Sequence, residues 1–147
     1  MKKELKIINK MIQIYTDGAC SVACRKGGWG VLIINKDEKI KLSGNSLDTT
    51  NNRMEMTAVI EALKYFKDSQ KITILSDSNY VVKGITQWID GWKLRNWKKV
   101  KNIDLWKQID ELNQFHQVTW KHVPAHSGVE GNEIADKLAV EARLQLP

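Results

Sequence analysis

The hydrophobic period of this chain changes once, near residue 50, and that change limits the folds open to it. Upstream lie three short β-type runs, residues 11–16 (MIQIYT), 29–34 (WGVLII) and 39–43 (KIKLS). The first stops at Asp17-Gly18, a turn signal, and the polar stretch Asn35–Glu38 separates the other two. Three successive strands joined by short connections predict an antiparallel meander. From residue 51 the spacing becomes helical: Met56, Val59, Ile60, Leu63 and Phe66 recur three and four apart, which predicts a helix over 51–66. Strand and helix then alternate. Residues 71–75 (KITIL) read as a buried strand ending at Ser76-Asp77, and Ser78 is placed to cap a short helix through Val82. A helix is expected over 102–115, carrying Leu105, Trp106, Ile109 and Leu112, then a strand over 117–121 (QVTWK) and a helix from Asn132 to Leu144. The expected fold class is α/β: a mixed five-stranded sheet, an antiparallel meander and then parallel strands, flanked by helices.

At 147 residues the chain is expected to form a single domain, 1–147. No stretch approaches the roughly 20 apolar residues of a membrane-spanning helix, so no membrane partner is expected. The opening MKKELKIINK is basic but lacks the apolar region of a secretory signal, which makes the cytoplasm the expected location. Cys20 and Cys24 are the two cysteines, too few for a disulfide framework or a thiolate zinc site. Free thiols are expected, with a local bridge as the alternative. The net charge of +6 points to a polyanionic partner, although solvated lysines give the same total.

Four acids stand out by position. Asp17 and Asp77 sit at the predicted C-terminal ends of the first and fourth strands, the edge where open α/β sheets bind ligands. Each also has an ordinary reading, Asp17 as a turn residue and Asp77 as a helix cap. Glu55 falls on or beside the apolar stripe of its helix, where a carboxylate is costly unless paired or bound to metal. Asp136 lies one turn into the last helix, beside its stripe, where a solvated flank is the common explanation. Two strand ends and two helices can bring the four together. Oxygen donors of this kind favour Mg²⁺ or Mn²⁺ over Zn²⁺. Two such ions about 4 Å apart suit phosphodiester hydrolysis. Residues 88–107 (WIDGWKLRNWKKVKNIDLWK) are the densest basic and aromatic segment: Lys93, Arg95, Lys98, Lys99 and Lys101 alternate with Trp88, Trp92 and Trp97. Such a segment suits a nucleic-acid groove, or an amphipathic helix with its tryptophans packed inward; both are expected in part.

In YTDGAC (15–20), GGWG (27–30), TTNNRMEM (49–56), LSDSNYV (75–81), GITQWI (84–89), VKNIDLW (100–106) and VPAHSGVEGNEIAD (123–136) the chain resembles bacterial type 1 ribonuclease H. The resemblance runs from about residue 11 to 144. It implies the ribonuclease H-like fold and a monomeric endonuclease that hydrolyses the RNA strand of RNA–DNA hybrids with two Mg²⁺ ions, Mn²⁺ being a substitute. It also implies roles. Asp17 would bridge both ions, Glu55 and Asp77 would hold the ion on the leaving-group side, and Asp136 the ion that activates water. His126 would assist proton transfer or product release. Asn51, Asn52 and Asn79 would contact the groove of the hybrid, Thr50 a DNA phosphate, and Cys20 would lie near the substrate. The basic segment, with Trp88, Trp92, Lys93, Arg95, Trp97, Lys98 and Lys99, would be the protrusion that grips the DNA strand.

The chain departs from the family pattern in places. The loop after the first strand reads SVACRKGG (21–28), and Ala23 holds a position where an asparagine groove contact is expected. Asn79 stands where glutamine is also common, the protrusion is shorter than in the longest bacterial members, and no separate hybrid-binding domain is expected ahead of the catalytic one. The alternative function is a related two-metal DNA nuclease or resolvase of the same fold. A non-catalytic binding module would be expected to lack at least one of the four acids.

Overall fold

The computed structural model describes residues 11–147. Its sheet has the order β3-β2-β1-β4-β5. The meander is β1 (Ile12–Cys20), β2 (Gly27–Asn35) and β3 (Glu38–Ser46), each pair antiparallel. β2 and β3 turn through Lys36-Asp37, with Lys36 at φ 58°. Helix α1 (Asn51–Lys64) crosses to β4 (Lys71–Ser76), which runs parallel to β1. The short α2 (Asn79–Lys83) starts at Ser78, whose hydroxyl accepts from the Val81 N–H. A π-helical turn (Gly84–Trp88) and α3 (Ile89–Leu94) lead to irregular chain and α4 (Ile103–Phe115). Strand β5 (Gln117–His122), parallel to β4, and α5 (Glu130–Leu144) complete the fold. Among the described residues no helix is long and apolar enough to cross a membrane.

The two sheet faces are packed differently. Ile14, Val31 and Ile33 project to one face and meet Met56, Val59 and Leu63 of α1 and Trp106 and Ile109 of α4, all fully buried. Burying each such side chain contributes about 1.5–3 kcal/mol. The opposite face takes α5 at close range through its alanines. A β-carbon at Gly30 would collide with the Ala135 carbonyl, so glycine there lets the helix rest on the β2 backbone.

Two expectations need correction. Asp17-Gly18 does not end the first strand: β1 continues to Cys20, with Asp17 paired to Gly30 and Cys20 to Gly27 of β2. Gly18 serves close packing, because a β-carbon there would strike the α1 backbone at Met54 and Glu55. What ends before Asp17 is the parallel pairing, whose last pair is Thr16 with Ser76. The segment 88–107 is not one amphipathic helix either. Asn96, Trp97, Lys99 and Asn102 all adopt positive φ, which no helix accommodates. Smaller differences are helix ends: α1 stops at Lys64, and α5 begins at Glu130, earlier than Asn132.

Candidate active site

Beyond the Thr16–Ser76 pair β1 has no β4 neighbour, and acids from three segments converge at this break in the sheet. Asp17, Glu55 and Asp77 each offer a carboxylate oxygen within 4.8 Å of the others. Asp17 comes from within β1 and is 3% exposed; its Oδ1 accepts from the Gly18 N–H at 2.8 Å. Glu55, 5% exposed, arrives from the second turn of α1. Asp77 is half-buried, one residue past β4. Asp136, half-buried on α5, lies near enough to help raise the Asp17 carboxyl, but it stands outside the group of three acids that meet within 4.8 Å.

The electrostatics of this cluster are those of a cation site. Burial, then the Asp77 charge, push the Asp17 carboxyl up to about 8, the Gly18 N–H offsetting part of the rise. Burial first, then Asp17 and Asp77, hold the Glu55 carboxyl well above the usual range. Glu55 Oε1 is buried and meets no donor among the described residues. The charged neighbours coupled to it are the Asp17 and Asp77 carboxyls, so a shared proton or a bound cation is needed to supply the missing positive charge. A set of oxygen anions without thiolate fits a hard divalent cation.

The other expected site residues fall into two groups around this cluster. Thr50 caps α1, its Oγ1 accepting from the Arg53 N–H at 3.2 Å, and Asn51 and Asn52 follow it, exposed, on the first turn. Cys20 is half-buried beside them, its Sγ 3.5 Å from the Thr49 carbonyl, and Cys20, Thr50 and Asn51 line one recess. Asn79 is exposed at the start of α2. Asn52 continues into a second, open groove lined by Tyr80, Trp92, Arg95, Lys98 and Lys99. The basic segment therefore reaches the α1 N-terminus.

Its side chains divide. Lys98, Lys99 and Arg95 are exposed, whereas Lys93 is tied to Asp110 of α4 at 2.8 Å. Trp92 is wedged between Trp106 and Trp97, with ring centroids 5.1 and 6.4 Å away, and Trp97 is half-buried under the Lys107 ammonium at 5.8 Å. Trp88 keeps 39% of its surface exposed. His126 is exposed on the loop between β5 and α5, at φ 52°.

Sequence reasoning missed several neighbours of the site. His122 Nε2 lies 3.2 Å from the Asp77 carbonyl, a contact that follows from the Ser76–His122 strand pair and not from any motif. Arg53 grips Asp104 with both nitrogens, at 2.8 and 3.1 Å, and reaches Asn102. Its guanidinium holds the Asp104 carboxyl below the usual carboxylate range. Asn102 and the Trp106 indole N–H both donate to the Tyr80 hydroxyl at 3.1 Å. This network ties α1, α2 and α4 together beneath the groove. The Arg before Met54-Glu55 was visible as a charge in the motif; its partner, 51 residues away in sequence, was not.

Comparison with known proteins decides the affiliation. The family model described as RNase H matches residues 9–143. The chain belongs to the ribonuclease H family. Ribonuclease H of Orientia tsutsugamushi (strain Boryong) is 49% identical over 142 residues, covering 93% of this chain and 84% of that protein. Ribonuclease H of Thiobacillus denitrificans is 48% identical over 140 residues, covering 92% and 95%. Among solved structures, LC9-RNase H1, described as a type 1 RNase H with the type 2 active-site motif, superposes with a TM-score of 0.84 at 30% identity, covering 91% of this chain and 72% of that one. A foamy viral protease-reverse transcriptase in complex with RNA/DNA hybrid gives 0.80 at 25% identity, covering 93% of this chain and 20% of that one. A metal-dependent endoribonuclease family matches the buried carboxylate cluster described above.

Proposed function

We propose that this ribonuclease H hydrolyses the RNA strand of RNA–DNA hybrids, with Asp17, Glu55, Asp77 and Asp136 holding two Mg²⁺ ions. The observation that carries the reading is Glu55: a carboxylate oxygen buried without a donor among two other acids is a position kept for a cation. Asp17 would contribute to both ions, Glu55 and Asp77 to one and Asp136 to the other. Bound there, Mg²⁺, or Mn²⁺ in its place, supplies the charge that makes water a nucleophile at neutral pH and steadies the leaving oxygen. His126, on an exposed loop, would carry a proton or help product leave. Water adds to the scissile phosphorus as the ribose oxygen departs, so a proton must be moved at each end.

The same reading orders the surface residues. Asn51, Asn52 and Asn79 present short polar side chains suited to the shallow, hydroxyl-lined minor groove of a hybrid. Thr50 would border a DNA phosphate, and Cys20 would lie near the substrate. Arg95, Lys98 and Lys99 would neutralise backbone charge, with Trp88 offering an apolar surface beside them. Trp92, Trp97 and Lys93 would serve the grip mainly by shaping the segment, since packing or an ion pair already engages each. We assign the protein to the cytoplasm as a monomer. The decisive experiment is incubation of labelled RNA–DNA hybrid, RNA duplex and DNA duplex with the protein, with and without Mg²⁺. Cleavage confined to the RNA strand of the hybrid and dependent on metal is expected. Undiminished cleavage in excess chelator overturns the metal assignment, and cleavage of duplex DNA favours a DNA nuclease.

A further inference from the structure

Asp77 is the one acid of the four that no strand or helix carries: β4 ends at Ser76 and α2 begins at Asn79. The parallel pairing of β4 with β5 has Ser76–His122 as its last pair. One ladder bond follows, from the Val123 N–H to the Ser76 carbonyl at 2.9 Å. There the two chains part, one into the turn toward α2 and the other into the loop that bears His126. The turn is tied on its far side, where the Ser78 N–H donates to the Ser76 hydroxyl at 3.0 Å and the Ser78 hydroxyl accepts from the Val81 N–H at 3.2 Å. The Asp77 carbonyl takes part in none of these bonds. Its partner among the described residues is a side chain, Nε2 of the exposed His122, 3.2 Å away.

We propose that His122 is a positioning residue for the reaction: its imidazole donates from Nε2 to the Asp77 carbonyl, takes over where the strand ladder ends, and so fixes the direction of the Asp77 carboxylate. A carbonyl only accepts, so the contact calls for the ring tautomer with its proton on Nε2. Strand register makes the reach available, because a side chain level with Ser76 lies beside the next residue of the neighbouring chain. The bond holds the plane of the peptide that follows Asp77. Rotation of that plane is the ψ of Asp77, about the same α-carbon that bears the carboxylate. Asp17 and Glu55, whose oxygens lie within 4.8 Å of that of Asp77, stand on a strand and a helix and cannot follow it if it turns. A misplacement of about 1 Å in such a group costs about a hundredfold in rate. The role differs from that of His126, since His122 meets backbone and moves no proton. It rests on the proposed function in so far as Asp77 is a metal ligand; the hold on the turn does not. Glutamine carries an amide N–H able to make the same bond, whereas phenylalanine keeps a ring and has no donor.

The test compares the parent with His122→Phe and His122→Gln in hybrid cleavage, calorimetric titration with Mg²⁺, metal-free melting and amide hydrogen exchange. In His122→Phe, kcat is expected to fall about tenfold to a hundredfold with KM little changed, and Mg²⁺ affinity to fall several-fold. The melting temperature should stay within about 2 °C of the parent, as for other exposed substitutions. Exchange should quicken locally, at residues 77–79. His122→Gln should recover most of the kcat and the slow exchange of the parent. Parental kcat and Mg²⁺ affinity in His122→Phe overturn the proposal, as does a loss of kcat that His122→Gln does not relieve or that tracks a fall in melting temperature. A rise in KM alone also overturns it, since that marks a residue touching substrate. If the parent itself neither cleaves hybrid nor binds Mg²⁺, the proposed function fails, while exchange at 77–79 still decides whether His122 holds the turn.

Discussion

The acidic cluster at the break in the sheet and the stretch 84–102, which carries the exposed basic residues Arg95, Lys98 and Lys99, are built in opposite ways. Three of the four acids are carried by strands or helices, and the fourth follows β4 by one residue. Glycines bring these elements to backbone contact, at Gly18 against α1 and Gly30 against α5. The basic segment has a π-helical turn, a six-residue helix and four left-handed residues, held by stacked indoles and the Arg53–Asp104 pair. Carboxylates that repel one another need a frame stiff enough to keep them together. Lysines that meet a phosphate backbone need only reach it. The charge at one end must be placed to within a fraction of an ångström, while at the other its sum is what counts.

The sharpest way to break that contrast is Asp17→Asn. Hybrid cleavage should fall by several orders of magnitude, because a neutral amide is a poor ligand for a hard cation. The metal-free fold should become more stable at neutral pH, because an amide need not take up the proton that Asp17 takes up on folding, with the melting temperature rising by about 3 °C per kcal/mol relieved. An active variant with a lowered melting temperature would return Asp17 to an ordinary strand residue.

Gly30→Ala tests the frame without touching a carboxylate. The added methyl meets the Ala135 carbonyl, one residue before Asp136. A cost of about 1–3 kcal/mol from overpacking is expected, together with weaker metal binding. Calorimetric titration with Mg²⁺ reads the second effect, and unchanged affinity would show that α5 need not lie so close.

The pH dependence follows from the direction of the Asp17 shift. Its carboxyl titrates near 8 in the fold against an ordinary value of 3.8. Stability from the protonated acid is therefore complete below about pH 4 and is lost as pH rises toward 8, since the unfolded chain releases its proton first. Melts of metal-free protein should fall between pH 5 and pH 8. Mg²⁺ should offset the loss most at the upper end, where the site is ionised. A melt that rises with pH in excess chelator would contradict the cluster.

On the basic side, Lys98→Ala with Lys99→Ala should raise KM about tenfold, leave kcat nearly intact and flatten the salt dependence by up to about two counterions. A large fall in kcat would mean that the segment positions the scissile bond as well as holding the strand. The smallest effect is Lys99→Gly. Lys99 sits at φ 60°, so glycine should add about 1 kcal/mol of stability by relieving the left-handed backbone, read as a higher melting point.

The same contrast explains what was legible in the sequence. Met56, Val59, Ile60 and Leu63 gave α1 and placed Glu55 against the core, because helical spacing carries its own geometry. The strands of the meander were visible as apolar runs, but Asp17-Gly18 read as a stop. Only the α1 backbone against Gly18 explains a glycine inside a continuing strand. Segment 84–102 resisted reading for the opposite reason. Its course is set by tertiary contacts, such as the Trp106 ring packed where a β-carbon of Gly84 would be, and not by local preference. His122 became a neighbour of Asp77 only through strand register.

The position of Asp136 on α5 also has a temporal meaning. Asp17, Glu55 and Asp77 all precede β5, but the helix that brings the fourth carboxylate to Asp17 is the last element of the fold. A chain emerging from the ribosome carries Asp17, Glu55 and Asp77 well before residue 136, and because a domain of this size folds as a unit the set of acids is complete only when the last helix docks. Until then the nascent chain holds three of the four acids and lacks the fourth, so the last stretch to be made is the one that finishes the cluster.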